Sequence, residues 1–348
     1  MPALPLPSAL GLVLLAAAPL LASPAAAAPR VAVDVAPIHS LVASVMAGVG
    51  TPDLILPPGA SPHGHTLRPS EAKAVADADL TVWVGPALTP WLAHPLDSLG
   101  GAAPQLELME VADIELLPVR AGAAFEPHSH EGEDADHDHA EEAGHGEDEP
   151  AEEAHDEHGH AEAEHAEDAH HDHDAHGGVD AHIWLDPANA TRIAAAVAAK
   201  LAEIDPENAA AYQTNAEAVA ARNADLAAGI AATLAPVHDK GFLVFHDAYQ
   251  YFERAFDLPA AGSISTTDGE APSPGRVAAL RARILDNQIV CIFTEPQFEP
   301  KLVGTLVEET SLRVGALDPE GTGLPLGPDL YPGLMQNLAG ALADCLQG

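Results

Sequence analysis

"LILPPGASPHGHTLRPSEAKAVADADLTVWVG", residues 54–85, decides the fold. Two short apolar runs, at 54–56 and 80–84, flank a loop rich in Pro and Gly and a more polar stretch of helical character, so the order reads strand, loop, helix, strand. Just upstream, "RVAVDVAPIHSLVASVMAG" (30–48) runs from a buried strand into a helix. Strands alternating with helices argue for parallel sheets covered by helices. Further along, "GFLVFHDAYQYFERAF" (241–256), "QIVCIFTEPQF" (288–298) and "LRVGALDPEG" (312–321) each place an apolar run directly before polar residues. They read as buried strands whose ends carry functional groups. At 348 residues the chain has room for two such lobes. The expected fold class is therefore α/β, with two lobes, each a parallel-sheet α/β sandwich, joined by one long rigid helix.

The joining helix is legible in its punctuation. Asp186 caps a helix whose first position is Pro187. Asp205 and Pro206 repeat the signal, and the alanine-rich stretch behind them continues without a breaker, apart from Gly229, to Pro236. At about 1.5 Å per residue it spans roughly 45 Å, enough to run the height of the molecule. The expected organisation is a signal peptide at 1–28, an N-terminal lobe at 29–204, a linking helix at 205–235 and a C-terminal lobe at 236–348.

The first lobe is interrupted between 126 and 178 by a segment in which almost every residue other than Ala and Gly is His, Asp or Glu. It holds 21 acidic residues, no Lys or Arg, and 13 of the 20 histidines: His128, His130, His137, His139, His145, His155, His158, His160, His165, His170, His171, His173 and His176. Low apolar content and like charge leave it too little surface to bury, so a disordered insertion is expected. A run of acids alone would be a solvated tail. Imidazoles interleaved with carboxylates form weak, interchangeable sites for zinc-like cations, which proton competition should empty below about pH 6.5. The net charge of −39 makes nucleic acid and anionic membranes poor partners and favours a cationic ligand.

"SALGLVLLAAAPLLASPAAAA" (8–28) has an apolar run too short and too proline-broken to span a bilayer, followed by small residues suited to cleavage, although no basic residue precedes Arg30. An exported chain meets an oxidising compartment, where Cys291 and Cys345 either bond across 54 residues, worth roughly 4 kcal/mol on the chain-entropy account, or stay as two buried thiols.

Seven histidines lie outside the insertion. His63 follows the strand "LIL", His182 stands just before the Asp186 cap, and His246 ends the strand "FLVF". Ligands of open α/β sheets bind beyond the carboxyl ends of strands, where such boundaries converge. Glu295 and Asp318 occupy comparable positions. Three neutral imidazoles and one carboxylate make a four-coordinate set suited to zinc, although the separations of 119 and 64 residues form no local motif and buried or surface histidines satisfied by hydrogen bonds are the alternative. His39 reads as structural, His94 and His238 as surface residues, His65 as a neighbour of His63 without a metal role, and Trp83, Trp91 and Trp184 as packing. No GxxxxGK[ST] phosphate loop and no HExxH is present, so neither ATP hydrolysis nor a zinc protease is indicated.

"LPPGASPHGHTLRPSEA", "ADLTVWVG", "DAHIWLDP", "GFLVFHDAYQYFE", "CIFTEPQF" and "GALDPEGTGLPLG", in this order, resemble the zinc-binding proteins of bacterial zinc-uptake ABC transporters, the ZnuA type, over nearly the whole chain after the signal. The resemblance implies two α/β lobes around a rigid helix, His63, His182 and His246 as zinc ligands, a Cys291–Cys345 disulfide, and an acidic His-rich insertion. It also implies a periplasmic location, an inner-membrane ABC permease as partner, and ligand exchange in place of catalysis; a monomer is expected. Relatives with a Glu directly before the first His are not matched, because Pro62 stands there. Asp318, matching the acid of sibling sites, is then the expected fourth ligand, ahead of water or a loop histidine. Glu295 is expected to cap the segment after it, close behind the site. Manganese-binding siblings carry an acid at the position of His246, so the metal expected here is Zn2+.

Overall fold

Val31, Ala32 and Val33 are buried on every side because the strand they form lies inside a sheet that helices cover. In the computed structural model, residues 27–101, 103–120, 125, 178–265, 273–286, 289–298, 301–307 and 310–348 are described. Strand β1 (Val31–Val33) pairs in parallel with β2 (Asp53–Leu54) on one side and β3 (Leu80–Trp83) on the other, and β3 pairs with β4 (Gln105–Glu107). A second parallel sheet has the order β5 (Gly241–Leu243), β6 (Ile289–Thr294), β7 (Arg313–Ala316). Two parallel sheets, one before and one after the long helix, are the two lobes.

Helix α1 (Ala36–Val45) is buried along its whole length. It can be buried all round because it packs on α4 (Pro187–Ile204), α5 (Ala209–Leu234) and α9 (Leu330–Gln347). Helices α2 (Pro69–Asp77) and α3 (Pro90–Leu99) complete the first lobe; α6 (Gln250–Ala255), α7 (Pro274–Asp286) and α8 (Lys301–Val307) belong to the second.

The 26 residues of α5 span about 39 Å. Tyr212, Ala216, Val219, Asn223, Leu226, Ile230 and Leu234 recur at three- and four-residue spacing and line its buried face, apolar but for Asn223. That face meets α1 and α4 of the first lobe and α9 of the second. One apolar core therefore runs through both lobes, from Val33 and Leu41 through Trp184 and Leu226 to Phe293 and Leu338. The start of this helix differs from the sequence expectation. Pro206–Asn208 forms a 3-10 turn with Asp205 at its N-cap position, and the Asp205 carboxylate bonds side chains there: its Oδ2 accepts from the Tyr212 hydroxyl and from Asn208 Nδ2, both at 2.7 Å. Asp186 does cap α4, accepting from Ala188 N at 2.7 Å.

Cys291 of β6 is bonded to Cys345 of α9, with Cα atoms 6.1 Å apart, so the last helix is fastened to the central strand of the second sheet. Pro118 and Val179 pair antiparallel, with Val119 N donating to Gly178 O and Asp180 N to Leu117 O, both at 2.8 Å. This stem brackets the acidic His-rich segment, whose thirteen histidines lie outside the described residues. So does nearly all of the expected signal peptide, residues 1–26.

Candidate metal centre

His63, His182 and His246 come together. Their ring centroids are 5.5, 5.3 and 6.5 Å apart for the pairs 63–182, 182–246 and 63–246, and one nitrogen from each ring lies within 4.8 Å of the other two. Zinc–nitrogen bonds of about 2.0–2.1 Å in a tetrahedron put ligand nitrogens roughly 3.3 Å apart, so closing on an ion takes at most about 1.5 Å of movement. Two of the rings belong to residues before α5 and one to a residue after it. A cavity of about 250 Å³, lined by all three rings together with Arg120, Asp180 and Asp247, opens onto the cluster.

Two of the rings are held from behind. His182 opens the 3-10 turn Ile183–Leu185; Asp180 Oδ1 accepts from its backbone N at 3.0 Å and from its ring Nδ1 at 2.8 Å. His246 leaves the end of the second lobe's first strand; Glu295 Oε1, at the end of β6, accepts from its backbone N at 3.3 Å and its Nδ1 at 2.7 Å. A carboxylate accepts only from a protonated nitrogen, so both rings keep the Nε2 lone pair for a ligand, the tautomer that carboxylate–histidine–metal sites use.

His63 is placed by its loop. Trp91 Nε1 donates to Pro62 O at 2.6 Å, and Ser61 Oγ accepts from His63 N at 3.3 Å. Gly59 has φ +83°, and a Cβ there would stand 3.2 Å from Thr322 Cγ2, so the loop needs glycine where it approaches the second lobe. His65 does not turn to the cluster. Its Nε2 is 2.8 Å from Glu71 Oε2 and its ring meets Trp91 edge-on, which fixes the loop against α2.

Asp318 is not brought into the cluster, contrary to the expectation that it supplies the fourth ligand. Its Oδ1 accepts from Glu320 N at 3.1 Å and Gly321 N at 3.0 Å, and its Oδ2 from Thr322 N at 2.7 Å, while Gln297 Nε2 lies 3.4 Å from Oδ1. Both oxygens accept from the turn 318–322, and the carboxylate lies outside the histidine cluster. Glu295 also has another task than the capping expected of it, since its side chain holds His246. His39 is buried in α1 with Nε2 3.1 Å from Pro52 O, and burial pushes its pKa down. His94 and His238 are exposed. Trp184 is fully buried and donates to Pro319 O at 2.9 Å, packing the first lobe onto the Asp318 turn.

Two residues of this centre escape the sequence reading. Asp180 stands two positions before His182 in "DAHIWLDP", so an Asp-x-His spacing was available as a signal. Arg120 lines the cavity and binds Asp247, the residue after His246; its only sequence mark is being the last basic residue before the acidic segment.

Fold and cluster define a class: a two-lobed α/β binding protein with a cation-sized cluster of imidazoles where the lobes meet. Residues 31–345 match the family model described as ZnuA, zinc-uptake complex component A periplasmic. The chain is 43% identical over 316 residues to the high-affinity zinc uptake system protein ZnuA of Brucella abortus (strain 2308), covering 91% of each chain. It is 41% identical over 337 residues to the protein of the same name from Paracoccus denitrificans (strain Pd 1222), covering 96% of this chain and 97% of that one. A crystal structure of ZnuA superposes with a TM-score of 0.68 at 21% identity, over 92% of this chain and 99% of the other, which speaks for the fold. The chain belongs to the ZnuA family.

Proposed function

We propose that this chain captures Zn2+ outside the cytoplasm and delivers it to the inner-membrane permease of a zinc-uptake ABC transporter. The observation that carries the reading is the convergence of His63, His182 and His246, two before the long helix and one after it, with nitrogens within 4.8 Å. Three imidazoles, two of them of fixed tautomer, favour zinc over manganese, which prefers oxygen ligands. Family membership and the names of the relatives support the same cargo.

In this reading the ion binds to the Nε2 atoms of His182 and His246 and to a ring nitrogen of His63. Asp180 and Glu295, behind two of the rings, offset part of the positive charge the ion brings. The fourth position faces the cavity and is taken by water. The reaction is ligand exchange; no bond of a substrate is broken, and we assign no catalytic step. The continuous core and the 26-residue α5 support small lobe movements, so release would follow from loosening one or two ligands on docking. We further assign residues 1–28 to a signal peptide that places the chain in the periplasm, and the histidines between 126 and 178 to weak cation sites feeding the cluster. The working form is a monomer, and the net charge of −39 argues against nucleic acid as a partner.

Zinc stoichiometry and chelator competition on the intact chain, a chain lacking 126–177 and His182→Ala test the reading. The expected result is one tight site in the first two and none in the third, with loose sites lost only in the second. A tight site that survives His182→Ala would overturn it.

A further inference from the structure

Among the described residues, Arg120 is the only Lys or Arg that lines the cavity over the histidine cluster. It leaves the stem at Pro118 and lies across the seam between the lobes. Its Nε donates to both oxygens of Asp247 at 3.1 and 3.0 Å, and Nη2 also bonds Asp247. Nη1 donates to Glu253 Oε2 at 2.7 Å and Nη2 to Glu253 Oε1 at 2.9 Å. All three guanidinium nitrogens are thus committed to two carboxylates, a planar two-sided fork that an ammonium group cannot reproduce. The ring of Phe125 lies 3.6 Å from the guanidinium carbon. Glu253 is buried and additionally accepts from Ala260 N at 2.9 Å. Burial opposes the charge on Arg120, but its bonds to Glu253 and Asp247 outweigh that and raise its pKa above the ordinary value.

The position of this clamp gives it a role beyond stability. Asp247 directly follows His246, so His246 is held on one side by Glu295, from its own sheet, and on the other through Asp247 by a residue of the opposite lobe. The same seam carries the hold on His182. The Tyr251 hydroxyl donates to Asp180 O at 2.9 Å and accepts from Leu117 N at 2.9 Å, and Gln250 Nε2 donates to Pro118 O at 3.1 Å. Asp180 in turn fixes the His182 ring. Resting on the zinc reading above, we propose that Arg120 is a positioning residue: by locking Asp247 to the stem it sets the spacing between His182 and His246, and so sets how fast the bound ion leaves.

The test is the rate of zinc transfer from the full chain to excess chelator, read as the slow phase that follows emptying of weak sites. Arg120→Gln is expected to speed this phase tenfold or more, Arg120→Lys to restore little of it, and Asp247→Asn to speed it similarly. The Arg120→Gln, Asp247→Asn double variant should be no faster than the faster single one, because both break one link. Arg254→Gln removes a pair with Glu115 on the same seam, away from His246, and should leave the phase unchanged. The Co2+ absorption spectrum should shift in Arg120→Gln and Asp247→Asn but not in Arg254→Gln. A slow phase within twofold of wild type in both Arg120→Gln and Asp247→Asn would overturn the proposal. So would equal acceleration by Arg254→Gln, which would mark a general weakening of the seam. Should Arg120→Gln not fold, Asp247→Asn decides alone. Absence of any slow phase in the unaltered chain would instead overturn the zinc reading.

Discussion

Glu295 Oε1 accepts hydrogen bonds from both the backbone N and the ring Nδ1 of His246, at 3.3 and 2.7 Å, across 49 residues of sequence. The carboxylate ends β6 and the imidazole leaves the neighbouring strand, so sheet pairing itself aligns them. Because this bond selects the tautomer and orients the ring, Glu295→Ala is expected to weaken zinc binding by about 10–100-fold without removing the site. Glu295→Gln, which retains an acceptor oxygen, should lose less. Competition against a chromophoric chelator measures both, and an affinity unchanged in Glu295→Ala would show that the ring needs no such partner.

His65 sits two residues from His63 yet faces the other way, 2.8 Å from Glu71, which also accepts from Arg68 N at 2.7 Å. His65→Ala should therefore cost about 1 kcal/mol of stability in urea unfolding and keep one tightly bound zinc per chain. His63→Ala should do the reverse, keeping the stability of the zinc-free protein and losing the tight ion. Loss of the ion in His65→Ala, with the fold intact, would contradict the assignment of roles within this loop.

These contrasts show which features a sequence carries. The strands of 31–33, 80–83, 241–243 and 289–294 are legible because their apolar runs are short, continuous and closed by polar residues. The three histidines are legible because each sits where such an element begins or ends. Strand order is not, since pairing of β1 with both β2 and β3 is a nonlocal choice. β4 is hidden by its polar sequence, "QLE". The local role of Asp318 is hidden for a related reason: "LDPEGT" has the composition of a ligand loop, while in the structure backbone N–H groups two to four residues ahead bond its carboxylate. Asp205 likewise has a capping residue's sequence, while the Tyr212 hydroxyl two turns later competes for its oxygen.

The accounting for Asp318 gives its own test. Removing its carboxylate leaves three backbone N–H groups in the turn 320–322 without their acceptor, so Asp318→Ala is expected to lower unfolding stability by about 2–3 kcal/mol. One tight zinc should remain, bound more weakly because the turn carries Pro319, to which Trp184 donates. Calorimetry showing a folded variant with no tight site would return Asp318 to the ligand set.

The Cys291–Cys345 bond joins β6 to the last turn of α9, closing 54 residues of chain. Its contribution is to the unfolded state, by loop entropy, and not to the cluster. The double variant Cys291→Ala, Cys345→Ala should lose roughly 4 kcal/mol in urea unfolding. Zinc stoichiometry below the transition should be unchanged. A change in zinc stoichiometry at temperatures where the variant is folded would place the disulfide in the binding apparatus.

Asp34 provides a pH dependence separate from the metal. Its side chain is completely buried at the end of β1, and burial drives its pKa up to about 7 from 3.8, against the opposing hydrogen bonds from Val84 N and Val35 N. A carboxyl with a raised folded-state pKa binds more protons folded than unfolded, so its contribution is fully present below 3.8 and is lost as pH rises through 7. Asp34→Asn stays neutral throughout and keeps one acceptor oxygen for the two N–H donors. Relative to wild type, the variant should therefore be at its least stable near pH 4.5 and gain steadily up to pH 8, where it approaches or exceeds wild type. Urea unfolding of both zinc-free proteins across that range measures the difference, and a gap constant with pH would mean that Asp34 titrates alike in the folded and unfolded chains.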